Sequence, residues 1–155
     1  MPEPRRKAVP RGKRRLQYAA LPVRFTGEGK IEVFLLTSRD TRRWVVPKGW
    51  PIRRLSPGAV AAQEAYEEAG LEGTIEPETP IGHYRYEKRL DGGSTVRVQV
   101  KVFVLRVVRQ MEAWPEQAER ETRWFAPEQA ADLVAEPGLA TILRAAAAAY
   151  GRPPA

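Results

Sequence analysis

A chain of 155 residues is the length of a single domain, and 43% hydrophobic content is enough for a proper core. The absence of cysteine rules out disulfides and thiolate metal sites, and a lone histidine, His83, argues against a His-rich centre or a Ser-His-Asp triad; acid–base chemistry is left to carboxylates. The net charge of +7 resembles a nucleic-acid binder's, yet Arg5, Arg6, Lys7, Arg11, Lys13, Arg14 and Arg15 stand against Glu3 alone in residues 1–15, so the rest is nearly neutral.

Residues 1–15 are expected to form a basic, disordered arm, interrupted by Pro2, Pro4, Pro10 and Gly12, ahead of a single domain over 16–150. The arm could also draw in a polyanion such as RNA, with affinity falling steeply in salt, but a solvated arm is the simpler reading. No apolar run is long enough to span a bilayer, and the N-terminus lacks the apolar segment of a secretory signal. The expected setting is therefore the cytoplasm, without membrane contact, as a monomer or homodimer.

Residues 16–26, LQYAALPVRFT, read as a first strand, turned at Gly27-Glu28-Gly29 into a second, Ile31–Thr37, apolar enough to be buried on both faces. A basic loop, Ser38–Arg43, delivers the chain to the β-prone triplet Trp44-Val45-Val46. Pro47-Lys48-Gly49-Trp50-Pro51 reads as a turn, with Trp50 read as core in preference to a stacking surface for a ligand, and a loop carrying Arg53 and Arg54 follows. Ser56-Pro57 is a helix start, a hydroxyl at N-cap and proline at N1, and Gly70 supplies the stop. Ala61, Ala62, Ala65 and Ala69 give that helix a small side for close packing. Two long β-prone stretches come next, Gly73–Leu90 and Thr95–Val108, joined by the hairpin signal Asp91-Gly92-Gly93-Ser94. In the second, Val96, Val98, Val100 and Val102 alternate with Arg97, Gln99 and Lys101, so one face is core. A loop opening at Trp114-Pro115-Glu116 leads to a short strand, Arg123–Phe125, and to helices Pro127–Val134 and Pro137–Tyr150. The fold class is α+β: an α/β/α sandwich with a mixed β-sheet between helices.

The helix between Ser56 and Gly70 carries Glu64, Glu67 and Glu68 in one sector. Like charges at these spacings destabilise a helix by ~0.2–0.5 kcal/mol per pair. No Lys or Arg lies one turn from Glu64 or Glu68 to offset this. Either the face is solvated, or it holds a hard cation such as Mg²⁺, which takes oxygen ligands from a few carboxylates and substrate phosphates.

The spacing from Gly49 to Gln63-Glu64-Ala65-Tyr66-Glu67-Glu68-Ala69-Gly70-Leu71 resembles the Nudix box, with the acidic core and terminal glycine intact. Leu55 replaces the box's first glutamate and Gln63 its arginine, a supporting charged pair in the family. Losing both leaves no orphan charge, so we read a coupled substitution. Outside the box, AALPVR, LLTSRDTRRWVVPKGWP, HYRYEKR, WPE and TRWF are similar to the diphosphoinositol-polyphosphate and diadenosine-polyphosphate phosphohydrolase branch and its bacterial relatives.

That resemblance implies a Nudix fold and divalent-metal-dependent hydrolysis of a phosphoanhydride bond, with Mg²⁺ or Mn²⁺ as cofactor. The expected substrate is a small molecule: nucleoside-diphosphate-linked, a dinucleoside polyphosphate or a diphosphoinositol polyphosphate. It implies Glu64, Glu68, Glu67 and the Gly49 carbonyl as the metal set, with Glu67 as general base or, as in some relatives, the Glu64 position in that role. A late-loop acid, Glu112, Glu116, Glu119 or Glu121, is a further expectation left open. Arg39, Arg43, Lys48, Lys88, Arg89 and Arg120 are the expected phosphate contacts. Two alternatives stand beside this reading: a non-catalytic ligand-binding module, motivated by Leu55 and Gln63, and an RNA-end pyrophosphohydrolase, motivated by the arm.

Overall fold

The computed structural model describes residues 15–150, so the expectation for the basic arm lies outside the described residues except at Arg15. Chain order is β1 (Leu16–Phe25), β2 (Ile31–Thr37), β3 (Trp44–Val45), β4 (Lys48–Gly49), α1 (Pro57–Ala69), β5 (Leu71–Ile75), β6 (Gly82–Arg89), β7 (Thr95–Gln110), β8 (Thr122–Phe125), α2 (Pro127–Leu133) and α3 (Pro137–Tyr150). The strands form one mixed sheet in the order β3-β2-β1-β7-β5, with β4 beside β1, β6 beside β7 and β8 beside β2. β1 and β7 run parallel, from Leu16 opposite Gln99 to Val23 opposite Arg106, and the other pairings are antiparallel.

Strand alternation sorts neighbours to opposite faces and so builds two cores. Ala20, Phe34, Leu36, Phe103 and Leu105 meet Ala61, Ala65 and Ala69 of α1 on one face. Ala19, Leu21, Val33, Leu35, Val98, Val100 and Val102 meet Ala130, Ala131, Leu139, Ile142 and Leu143 of α2 and α3 on the other. The expected helix–sheet–helix layering is the architecture found, and the alanine stripe of α1 packs as its small size requires.

Two expectations are corrected. The stretch Gly73–Leu90 is two strands, β5 and β6, because Pro77 and Pro80 between them cannot donate to a ladder. Lys48 and Gly49 form not a free turn but a two-residue strand opposite Ala19 and Tyr18. That pairing lays the chain across the sheet end beside α1. The α1 caps form as read: the Ser56 hydroxyl accepts from Ala59 N–H at 3.3 Å, and Gly70 takes the left-handed conformation at φ 66°.

Candidate active site

The acidic face of α1 is turned inward. Glu64 and Glu68 retain only 2% and 5% of their exposure, which rules out a solvated carboxylate face for these two, while Glu67 is half-buried. β4 covers them: the Lys48 N–H donates to Glu68 Oε2 at 3.2 Å, and the Gly49 Cα lies so close to the Glu64 carboxylate that a Cβ there would collide with it. Glycine at 49 is thus a requirement of close approach. Burial, reinforced by neighbouring Glu64, pushes the Glu68 carboxyl up to about 8 against the pull of Arg120 and Lys48.

Arg120 completes the cluster from the loop before β8. Its side chain is 9% exposed, and Nη2 lies 2.8 Å from Glu116 Oε1 and 3.5 Å from Glu68 Oε1. Nη1 donates to the Thr37 carbonyl at 3.1 Å. The guanidinium is therefore held by protein groups and fixes Glu68. The same loop and the end of β7 satisfy carbonyls at the end of α1 and its cap: Trp114 Nε1 donates to Glu68 O at 3.1 Å, Glu116 N to Glu67 O at 3.0 Å, Gln110 Nε2 to Ala69 O at 3.0 Å and Met111 N to Gly70 O at 2.8 Å. Of the four late-loop acids, Glu116 is brought to the cluster through Arg120, Glu119 pairs with Arg39 at 3.2 Å, and Glu112 and Glu121 are exposed.

The expected phosphate contacts divide. Lys48 places its Nζ over the Tyr86 ring, 5.2 Å from its centre. Burial pushes its amine down to about 8, opposed by Glu68 and furthered by Lys88. Lys88 shares the strand face of Tyr84 and Tyr86 on β6, whereas Arg89, one residue on, points to the opposite face. Arg39 and Arg43 are exposed on the loop between β2 and β3, where Arg43 Nε donates to Thr41 Oγ1 at 3.1 Å. The Tyr86 hydroxyl donates to buried Gln17 Oε1 at 2.6 Å, and burial raises both Tyr84 and Tyr86, which stay protonated phenols. Trp50 is core, at 5% exposure.

Sequence reasoning missed Glu136, between α2 and α3. It is 8% exposed, its Oε1 has no hydrogen-bond partner among the described residues, and its charge reaches Lys48, Tyr84 and Tyr86. The one local signal, Glu before Pro137 at a helix start, reads only as a cap. A cleft of about 770 Å³ near the start of α1, lined by Ser56, Gly58, Thr74, Glu78 and Lys101 among others, includes none of the expected site residues.

No group of three or more Asp, Glu, His or Cys side chains among the described residues forms a ready cage for a cation. The chemistry of the donor set nonetheless fits a hard divalent ion. Two adjoining buried carboxylates and a backbone held clear of any Cβ at Gly49 supply oxygen, and Mg²⁺ needs only one or two carboxylates besides water and phosphate.

Comparison with known proteins agrees with this architecture. The family model described as NUDIX domain matches residues 15–146. Nudix hydrolase 12, mitochondrial, of Arabidopsis thaliana is 32% identical over 110 residues, covering 67% of this chain and 52% of the relative. Diphosphoinositol polyphosphate phosphohydrolase 3-alpha of Homo sapiens is 32% identical over 109 residues, covering 68% of this chain and 62% of the relative. The chain thus spans little more than half the length of these curated relatives. A C. elegans Ap4A hydrolase in binary complex shares the fold, with TM-score 0.60 at 22% identity over 83% of this chain and 92% of that one. Among the described residues no helix is long and apolar enough to cross a membrane.

Proposed function

The chain belongs to the NUDIX domain family, and we propose that it is a divalent-metal-dependent pyrophosphohydrolase. Its substrate carries a phosphoanhydride bond, as in a nucleoside-diphosphate-linked compound, a dinucleoside polyphosphate or a diphosphoinositol polyphosphate. The observation that carries this reading is the pair Glu64 and Glu68, buried side by side at the sheet end against Gly49. A buried carboxylate pair is strongly unfavourable unless a cation or a shared proton relieves it.

Glu64, Glu68 and the Gly49 carbonyl would hold the ion, with Glu67 at its edge. Bound there, Mg²⁺ or Mn²⁺ would neutralise phosphate oxygens and acidify water. Glu67, half-buried beside the pair, takes the proton of the attacking water. Lys48 and Lys88 stand on the Tyr86 face as counter-charges for the polyphosphate, with Arg43 and Arg39 at the rim. Arg120 acts on Glu68, keeping its carboxylate aimed while Glu116 and Thr37 keep the guanidinium. Arg89, on the far face of β6, is not assigned to the site.

Glu67→Gln tests the assignment, since a general base contributes about 10²–10⁴-fold. A loss of that size with unchanged Mg²⁺ affinity supports Glu67 as base. Full turnover in that variant, with loss in Glu64→Gln beyond its effect on metal affinity, moves the role to Glu64.

A further inference from the structure

β6 closes one side of the sheet. Its inner edge pairs with β7, and among the described residues no strand pairs with its outer edge. The Leu90 N–H donates to the Ser94 carbonyl at 2.7 Å, whereas the Gln99 N–H turns the other way, to the Arg15 carbonyl beside β1 at 2.8 Å. With that phase, Tyr84, Tyr86 and Lys88 direct their backbone groups at β7, and His83, Arg85, Glu87 and Arg89 direct theirs outward. The side chains of these four are exposed, on the face opposite to Tyr84 and Tyr86. An open edge of eight residues is a template for another strand, and the charges along it decide which strand can pair.

We propose that β6 pairs antiparallel with β6 of a second copy of this chain, related by a two-fold axis at Tyr86, so that Arg85 of each copy lies opposite Glu87 of the other. Only residues whose backbone groups point outward can make the hydrogen-bonded pairs, which restricts the register to steps of two residues. Charge then selects among those registers. With the axis at Tyr86, Arg85 meets Glu87 twice and His83 meets Arg89 at the ends. One step either way sets Arg85 against Arg85, or Glu87 against Glu87 with Arg85 against Arg89. Glu87 already leans on Arg97 of β7 at 3.3 Å, so the pairing builds a row of alternating sign: Arg97, Glu87, then Arg85 of the second copy. An edge that only repels other strands needs charge of one sign; here the sign alternates with the pairing repeat. The contact is narrow, a backbone ladder and two ion pairs, so the dimer is concentration-dependent and not obligate. It stands independently of the hydrolase reading.

Sedimentation equilibrium on the full chain, from about 1 µM to about 1 mM, reads this without needing substrate or metal. The wild type should pass from monomer to dimer and go no further, because a two-fold contact uses the same edge on both copies. Arg85→Glu and Glu87→Arg should each raise the dimer dissociation constant by at least about 10-fold, since each sets like charges opposite one another twice in one dimer. The two substitutions move the net charge in opposite directions, so a general repulsion between copies could not weaken both. An equal mixture of the two single variants sets acid against base at both pairs, and should give a mixed dimer tighter than either variant forms alone. The double variant, Arg85→Glu with Glu87→Arg, rebuilds the pairs in reverse and should return to within about 3-fold of the wild type. Both side chains are exposed, so all three variants should keep the wild-type circular dichroism spectrum. A wild type that stays monomeric over the whole range, single variants that dimerise as the wild type does, or a double variant and a mixture no tighter than the single variants would overturn the proposal.

Discussion

Glu68 shows how single residues set the chemistry of this site. Its carboxylate meets the Lys48 N–H on one side and Arg120 on the other, with Glu64 adjoining. Arg120 is itself anchored by Glu116 and the Thr37 carbonyl, so its planar fork cannot swing away to meet substrate without breaking those bonds. We expect Arg120→Ala to lower turnover by about 10- to 100-fold, as outer-shell partners of metal ligands do. The loss should appear in the Mg²⁺ concentration needed for half-maximal rate, measured by metal titration. A change confined to the KM for substrate would return Arg120 to the phosphate-contact role. Gly49→Ala should act in the same direction, because the new Cβ strikes the Glu64 carboxylate. Its fold should survive, since β4 is only two residues long, and metal affinity measured by calorimetry should drop.

At the scale of elements, α1 is held by its two ends and by what caps them. Gly70 at φ 66° presses on the Trp114 indole, so any Cβ there meets both a left-handed backbone and an occupied space. Gly70→Ala should destabilise the protein by at least about 1–2 kcal/mol from the backbone alone, read from the denaturant midpoint. An unchanged midpoint would mean that Trp114 does not clamp the helix. The local signals of α1 were legible, since the Ser56 hydroxyl, Pro57 and Gly70 act within a few residues of themselves. The fate of Gly73–Leu90 was less so: β-propensity runs through the segment, and only the prolines at 77 and 80 mark the break. The pairing of Lys48-Gly49 with β1 joins residues far apart in sequence, and no window around either shows it. The carboxylate set of the candidate site was readable as spacing on one helix. Its burial, its tether to Arg120 and the presence of Glu136 were not, because each depends on chain segments that only the sheet brings together.

The whole molecule places two titrating groups, Glu68 and Lys48, in one buried sheet end, and their signs oppose. Glu68 is raised from its ordinary 4.5 to about 8, so the folded state holds a proton that the unfolded state releases, and stability falls as pH rises across that window. Lys48 is lowered from 10.5 to about 8, so the unfolded state binds the extra proton between those values, and stability recovers as pH rises further. The metal-free protein should therefore show a dip in thermal midpoint near pH 8 from this pair, and Mg²⁺ should fill it by replacing the proton at Glu68. Chelated and Mg²⁺-loaded samples scanned by calorimetry from pH 5 to 10 check this. The function proposed for this sheet end is metal-dependent cleavage at the buried carboxylates. The most direct measurement is product release from diadenosine tetraphosphate, with an inositol pyrophosphate in parallel, by wild type and Glu68→Gln with and without Mg²⁺. We expect the wild type to cleave the dinucleotide only with metal, and Glu68→Gln to lose at least 10²-fold of that rate while remaining folded. Cleavage undiminished in Glu68→Gln, or a folded, Mg²⁺-bound wild type that cleaves neither substrate, would contradict it.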